Sequence, residues 1–267
     1  MYYSLYIDET TSRYEHQYAT EETILESINK YFRKAVEKRL MSDRPICCLL
    51  SGGLDSSLVS ALVATHFPPK TIHTFSIGFE GSPDLYYAKK VADHIQSVHH
   101  EVIVTEDEFL NHIDETVRVI ESYDTTSVRA SVGNLLVAKY ISNHTDHKVV
   151  FNGDYSDEVC GGYKYFKNAP SAIQFDLECK RLVTDICYFD SLRSDRTVSS
   201  QGLEARVPFS DHEFVSYYFG IPVELRMKPD KYLLRKAFEK DNLLPEEILW
   251  RPKEAFSDGV SKKERSW

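Results

Sequence analysis

The chain has 267 residues, 42% of them hydrophobic and 27% charged, with a formal net charge of -9. A chain of this size can bury roughly three quarters of its unfolded surface, and the acidic balance argues against a general nucleic-acid binder, which meets phosphates with a basic face. No segment reaches the ~18 consecutive apolar residues of a membrane span, and Met1 to Ser12 shows no basic run followed by an apolar one, so a soluble, cytoplasmic protein is expected.

Apolar residues at Ile24, Ile28, Tyr31, Phe32, Ala35, Val36 and Leu40 share one face of a helix, which predicts an amphipathic helix over Thr20 to Leu40. Pro45 then introduces Ile46-Cys47-Cys48-Leu49-Leu50, a run too short for a helix and suited to a strand buried on both faces. A helix over Leu54 to Phe67 and a second buried strand over Thr71 to Phe79 complete a parallel βαβ unit. Ser82-Pro83-Asp84 offers an N-cap, a first-turn proline and an early acid for a helix that runs to Ile95. His99 to Val104 reads as a third strand, and Thr105 to Glu108 as a capping box that opens another helix. Val128 to Ser142 is a further helix and Lys148-Val149-Val150-Phe151 a fourth buried strand. Beyond Asp157 the strand signal fades. Helical stretches over Ser171 to Phe189, Asp211 to Phe219 and Lys231 to Lys240 predict a mainly helical lobe, 156–267, behind an α/β core, 1–155. The five cysteines, Cys47, Cys48, Cys160, Cys179 and Cys187, form no C-x-x-C pair and no zinc-ligand spacing, so reduced and mostly buried thiols are expected.

Ser51-Gly52-Gly53-Leu54-Asp55-Ser56-Ser57 lies between the first strand and the first crossover helix. In an open parallel sheet ligands sit beyond the carboxyl ends of the strands, where a helix N-terminus presents free N–H groups to an anion. Gly52 and Gly53 would let the backbone approach a phosphate, and the hydroxyls of Ser51, Ser56 and Ser57 would add donors. Asp55 fits such a loop if a metal bridges it to the anion. No lysine follows the glycines, so this is not G-x-x-x-x-G-K-[ST]. A tight turn capped by serines uses the same residue types, and both readings stand. Asn152-Gly153-Asp154-Tyr155-Ser156-Asp157-Glu158 again joins a buried strand to a helix and crowds carboxylates into one loop. In one parallel sheet this loop would open beside Ser51 to Ser57, letting Asp55 and Asp157 share a Mg²⁺ with triphosphate oxygens. An acidic helix start that favours the dipole accounts for it too. A third patch, Trp250 to Gly259, sets Arg251 and Lys253 among aromatics, and its composition alone does not set it apart from a solvated loop.

Together these stretches resemble the synthetase domain of glutamine-dependent asparagine synthetases of the eukaryotic type, from about Thr23 to Trp267. The likeness is carried by Lys38-Arg39-Leu40-Met41, Cys48 to Leu58, Ser82-Pro83-Asp84-Leu85, Lys90 to Ile95, Thr126 to Ser131, Gly202 to Phe209 and Ile248 to Gly259. The resemblance implies a parallel sheet flanked by helices in the adenine-nucleotide α-hydrolase-like, or ATP pyrophosphatase, fold, with a C-terminal helical lobe that closes the site. It implies ATP as co-substrate with Mg²⁺, aspartate activated as β-aspartyl-AMP with loss of pyrophosphate, and ammonia as the attacking nucleophile. Leu50, Ile77, Asn152 and Gly153 would line the adenosine site, and Ser51, Gly52, Gly53, Asp55, Ser56 and Ser57 the pyrophosphate site. Asp55 and Asp157 would bind Mg²⁺. Lys253 would stabilise charge at the α-phosphate, with Arg129 and Arg206 as further contacts to anions.

The family's usual loop reads Ser-Gly-Glu-Gly-Ser-Asp-Glu, where this chain has Asn152, Asp154 and Tyr155 in place of the serine, the first glutamate and the second glycine. In the family that glutamate is implicated in forming the adenylate. Asp154 keeps its charge on a shorter arm, and Tyr155 puts a ring where the family has no side chain. The family's glutaminase domain, with its N-terminal cysteine nucleophile, is expected to be absent, so ammonia would come from solution or from a separate glutaminase subunit. Two alternatives stay open: a catalytically degenerate nucleotide-binding or scaffolding relative, and an adenylating synthetase of the β-lactam-forming kind.

Overall fold

The computed structural model describes residues 19–254 and 259–260. Expectations that rest on Met1 to Ser12, on Ala255, Phe256, Ser257 and Asp258, or on the stretch up to Trp267 lie outside the described residues.

The first helix among the described residues, α1 (Glu21–Glu37), starts where the Thr20 hydroxyl accepts the N–H of Thr23 at 3.3 Å. It buries Ile24, Ile28, Phe32, Ala35 and Val36, the face that the spacing predicts. Parallel strands then alternate with helices: β1 (Ile46–Leu49), α2 (Leu54–Ala64), β2 (His73–Gly78), α3 (Pro83–His94) and β3 (Val98–Ile103). A break at His112 divides the next segment into α4 (Glu106–Asn111) and α5 (Ile113–Ile120), followed by α6 (Thr125–His144) and β4 (Val149–Phe151). The Thr105 capping box that opens α4 is present as expected.

Beyond β4 come α7 (Ser156–Cys160), α8 (Ala172–Asp185) and α9 (Thr197–Ser199), then β5 (Glu204–Arg206) and α10 (His212–Gly220). They are followed by α11 (Val223–Arg226), α12 (Tyr232–Phe238) and α13 (Glu246–Leu249). The helix expected to reach Phe189 ends at Asp185 and gives way to a single 3₁₀ turn, Ile186–Tyr188. The stretch after Asp157 also contains a strand that the reading missed. β5 has the sequence Glu-Ala-Arg and no apolar run, and it becomes a strand by pairing with β4, Val150 opposite Ala205 and Phe151 opposite Arg206.

The sheet is wholly parallel in the order β3-β2-β1-β4-β5. Neighbouring residues of a strand enter opposite cores: Cys48 and Phe151 face one with α1, α2, α10 and α12, while Cys47 and Val150 face the other with Phe75 and α6. The first core joins residues from both halves of the chain, and Phe32 of α1 packs on Phe209 and Phe214 at ring distances of 4.3 and 5.0 Å. Cys47, Cys48, Cys160 and Cys179 are buried free thiols and Cys187 is an exposed one. On β3, His99 is bonded to Thr74 (2.9 Å) and Ser76 (3.2 Å) of β2. No helix among the described residues is long and apolar enough to cross a membrane.

Candidate active site

From β1 the chain winds outward through β2 to β3, then returns to lay β4 and β5 on the other side of β1. The order therefore reverses between β1 and β4, and their carboxyl ends frame a crevice of the kind in which open α/β sheets bind ligands. A cavity of about 620 Å³ opens there. Its wall includes Leu50 and Ile77 from the strand ends and Ser51, Gly53, Asp55 and Ser56 from the turn after β1. Asn152, Gly153, Asp154 and Asp157 line it from the loop after β4, and Lys253 from the C-terminal segment.

The turn after β1 is held by its own hydroxyls. Ser56 Oγ accepts the Ser51 N–H at 3.1 Å and lies 2.9 Å from Ser51 Oγ. The N–H groups of the first turn of α2 have no intrahelical partner, and Leu54, Asp55 and Ser56 of that turn line the cavity, an arrangement suited to an anion. The two glycines divide the labour differently from the expectation. Gly52 has φ +72°, and a Cβ there would lie 2.5 Å from Ala88 N and from Tyr87 Cβ, so it serves the turn and its contact with α3 rather than the cavity wall. Gly153 plays the matching part in the second loop, where a Cβ would come within 2.4 Å of Ser56 N. Ser57 is also corrected: it is fully buried, absent from the cavity wall, and its hydroxyl has no hydrogen-bond partner among the described residues.

Asp55 and Asp157 meet as the loop geometry predicts, and they meet on a residue the sequence did not signal. Lys231 Nζ lies 2.6 Å from Asp55 Oδ2 and 2.6 Å from Asp157 Oδ1. Ser156 Oγ donates to Asp55 at 2.7 Å, and Lys253 Nζ lies 2.5 Å from Asp157 Oδ2. Burial acts to raise the Asp157 carboxyl, but Lys231 and Lys253 outweigh it and hold the group well below the usual carboxylate range. Burial opposes the charge on Lys231 too, and Asp157 and Asp55 reverse that and push it up. Mg²⁺ takes one or two carboxylates together with substrate phosphate oxygens, and here each oxygen of the two carboxylates already lies 2.5 to 2.7 Å from a lysine ammonium, so an ion would have to share these oxygens with the lysines. Lys231 occupies the bridging position between the two carboxylates.

The left-handed angle at Tyr155, φ +73°, is one that a glycine adopts freely and a tyrosine rarely does. Its hydroxyl lies 2.7 Å from Ser191 Oγ, tying the loop to the segment after α8. Arg193 from that segment donates to Asp154 at 2.6 Å, and Asn152 Nδ2 donates to Ser194 Oγ at 2.7 Å. Burial raises the Asp154 carboxyl and Arg193 pulls it back. Glu158 is fully buried, accepts the Tyr163 hydroxyl, and is raised well above the usual range by burial and by the charges of Asp190 and Asp157.

Two of the expected anion contacts are not brought to the cavity. Arg206 ends β5 and donates to the carbonyls of Arg39 and Met41, the latter at 2.8 Å, and to Glu204 at 2.7 Å, so it ties the sheet edge to the loop after α1. Arg129 stands half-buried near the start of α6, whose Thr126, Ser127 and Ala130 line the cavity while Arg129 does not. Lys231, Arg193 and Asp190 were missed because none sits in a glycine-bearing strand-to-helix turn. Asp230 and Lys231 are two consecutive left-handed residues before α12, and no glycine in the sequence marks that turn.

The profile of the asparagine synthase family matches residues 27–178 and 174–266. Over 253 residues the chain is 51% identical to the glutamine-hydrolyzing asparagine synthetase of Rattus norvegicus and 52% identical to that of Gallus gallus. Each alignment covers 92% of this chain and 45% of the relative, so the chain spans about half the length of the curated relatives it matches. Among solved structures, NMN synthetase from Francisella tularensis superposes with a TM-score of 0.37 at 12% identity, covering 83% of this chain and 96% of that one, a likeness too slight to bear on the fold.

Proposed function

The chain belongs to the asparagine synthase family, and on that premise we propose that its cavity amidates aspartate to asparagine at the expense of ATP, in the cytoplasm. A β-carboxylate oxygen of aspartate attacks the α-phosphorus, and the bond to the bridging oxygen breaks with loss of pyrophosphate, leaving β-aspartyl-AMP. Ammonia then adds to the acyl carbon, AMP departs with the C–O electron pair, and the nitrogen sheds a proton to give the amide. The ammonia comes from solution or from a glutaminase domain or subunit.

Leu50, Ile77, Asn152 and Gly153 hold the adenosine. The triphosphate lies over Ser51, Gly53 and Ser56 at the start of α2. Asp55 and Asp157 would hold Mg²⁺, which would neutralise phosphate charge. Lys253 meets the charge that builds on the α-phosphate, and Lys231, already fixed between two carboxylates, supplies a second preorganised cation. Such a group is typically worth ~3 to 4 kcal/mol of transition-state stabilisation. Asp154, anchored by Arg193, stands beside the reacting centre.

The observation that carries this reading is the convergence of Asp55 from the first loop, Asp157 from the second, and two lysines from the C-terminal third within 2.5 to 2.6 Å contacts. The test is pyrophosphate release from Mg-ATP with and without aspartate, using ammonium and then glutamine as nitrogen donor. Release that needs aspartate, with asparagine formed from ammonium, is expected. A folded, nucleotide-saturated protein that releases no pyrophosphate in response to aspartate would favour the degenerate relative, and release without asparagine would favour another acceptor.

A further inference from the structure

The segment after α13 that brings Lys253 to the cavity is fastened to two elements from different parts of the chain. Arg235 of α12 donates to the carbonyl of Leu249 and, at 2.9 Å, to that of Arg251. Arg251 in turn crosses to α3: its Nη2 donates to Asp84 Oδ1 at 3.0 Å, and its guanidinium carbon lies 4.1 Å from the centre of the Tyr87 ring. Glu254 takes the same Nη2 at 2.6 Å from a more exposed side. Asp84 and Arg251 are both buried, and both line the cavity.

Asp84 is engaged from the far side of Lys253 as well. A Cβ at Gly259 would lie 2.4 Å from both carboxylate oxygens of Asp84, so the backbone there rests directly on that carboxylate. The next residue fixes the place, because the Phe79 N–H donates to the Val260 carbonyl at 3.0 Å. The short stretch that joins β2 to α3 therefore receives the chain both before and after Lys253. Burial pushes the Asp84 carboxyl up to about 6, and Arg251 pulls against that rise. A buried carboxylate that loses its cation is left uncompensated, so this contact is held more firmly than a surface pair. The two lysines of the site differ accordingly. Lys231 has a side chain only 3% exposed and is set by packing, whereas that of Lys253 is 24% exposed and goes where its segment is fastened.

Resting on the reading that Lys253 meets the charge at the α-phosphate, we propose that Asp84 is the positioning residue for Lys253. By holding Arg251 on one side and receiving Gly259 on the other, it sets the segment so that the ammonium stands beside Asp157. Asp84 acts through Arg251 and makes no contact with the nucleotide.

The test on the full chain begins with a measurement that needs no turnover. The ligand-free protein is acetylated with acetic anhydride, and the rate at each lysine is read by mass spectrometry. Asp84→Asn, which keeps the shape and leaves Arg251 with Glu254, is expected to raise the rate at Lys253 about ten-fold while Lys231 stays protected. Gly259→Ala, whose methyl would press on Asp84 from the other side, is expected to do the same, and it decides the matter if Asp84→Asn does not fold. In aspartate-dependent pyrophosphate release both variants should lose about ten-fold or more in kcat, since a displacement of about 1 Å can cost roughly 100-fold, with the affinity for a non-hydrolysable ATP analogue nearly unchanged. Unaltered labelling of Lys253 in both variants would overturn the proposal. Equal rises at Lys253 and Lys231, the mark of general loosening, would overturn it too. The reading of Lys253 fails separately: a Lys253→Ala protein with wild-type kcat would sink that reading, while selective labelling in the Asp84 and Gly259 variants would leave the positioning of Lys253 standing.

Discussion

Lys231 is the residue on which the site's electrostatics turn. Its side chain is almost wholly buried, and its ammonium lies between Asp55 and Asp157, which come from the loops after the adjacent strands β1 and β4, far apart in sequence. Removing one partner of a buried ion pair leaves an uncompensated charge, at a cost of ~3–5 kcal/mol. Lys231→Met leaves two such carboxylates, with Lys253 beside one of them, and should lower unfolding stability by about that amount in urea titrations. Asp55→Asn should be far less harmful in the Lys231→Met background than alone. Equal costs in both backgrounds would show that the pair is not coupled. None of this was legible in the letters. Asp55 and Asp157 could be read because each sits in a strand-to-helix turn, whose location in a parallel sheet is fixed by topology. Lys231 and Arg193 enter the site through the packing of α12 and of the segment after α8, and no local pattern encodes that packing.

At the level of elements, the turn after β1 acts as a spacer as much as a ligand cradle. Gly52 combines a left-handed φ of +72° with backbone contacts from α3 at 2.5 to 2.6 Å from where a Cβ would lie. Gly52→Ala must therefore shift α3 as well as strain the turn, since the neighbouring atoms are backbone and cannot rotate away. The expected outcome is a loss of ~2 kcal/mol or more of stability together with weakened ATP binding. Gly53→Ala, whose nearest neighbour is the Ser51 hydroxyl at 3.4 Å, should be tolerated much better in unfolding experiments. Comparable losses in the two variants would contradict this division. The elements themselves were largely readable: four of the five strands were expected, β1 and β4 as short apolar runs, and α1 by its spacing. β5 could not be, because Glu204-Ala205-Arg206 becomes a strand only through the edge that β4 offers.

For the whole molecule, pH should act through histidines packed on the sheet. His99 is lowered to about 4, first by burial and then by the nearby charges of Lys89 and His100. His147 is lowered to about 4 by burial and by His73 and His100. An unfolded chain binds protons on these rings as pH falls through ~6.5, whereas the folded one does so only near 4, so stability is lost across that window and is unaffected above it. His99→Gln should remove about 1–2 kcal/mol of that loss, so the stability gap between wild type and variant should narrow between pH 7 and pH 4.5 in chemical denaturation, and a constant gap would contradict the assignment. The docking of α1 has another kind of consequence. Ile24, Ile28 and Phe32 share one core with Phe214, Leu233 and Phe238, some two hundred residues further along the chain. At a synthesis rate of ~5–20 residues per second, this helix waits about 10–40 s after its own synthesis for the surface that covers it. In that interval its apolar stripe is exposed, so the nascent chain, rather than the finished protein, is the form in which this molecule most needs a chaperone.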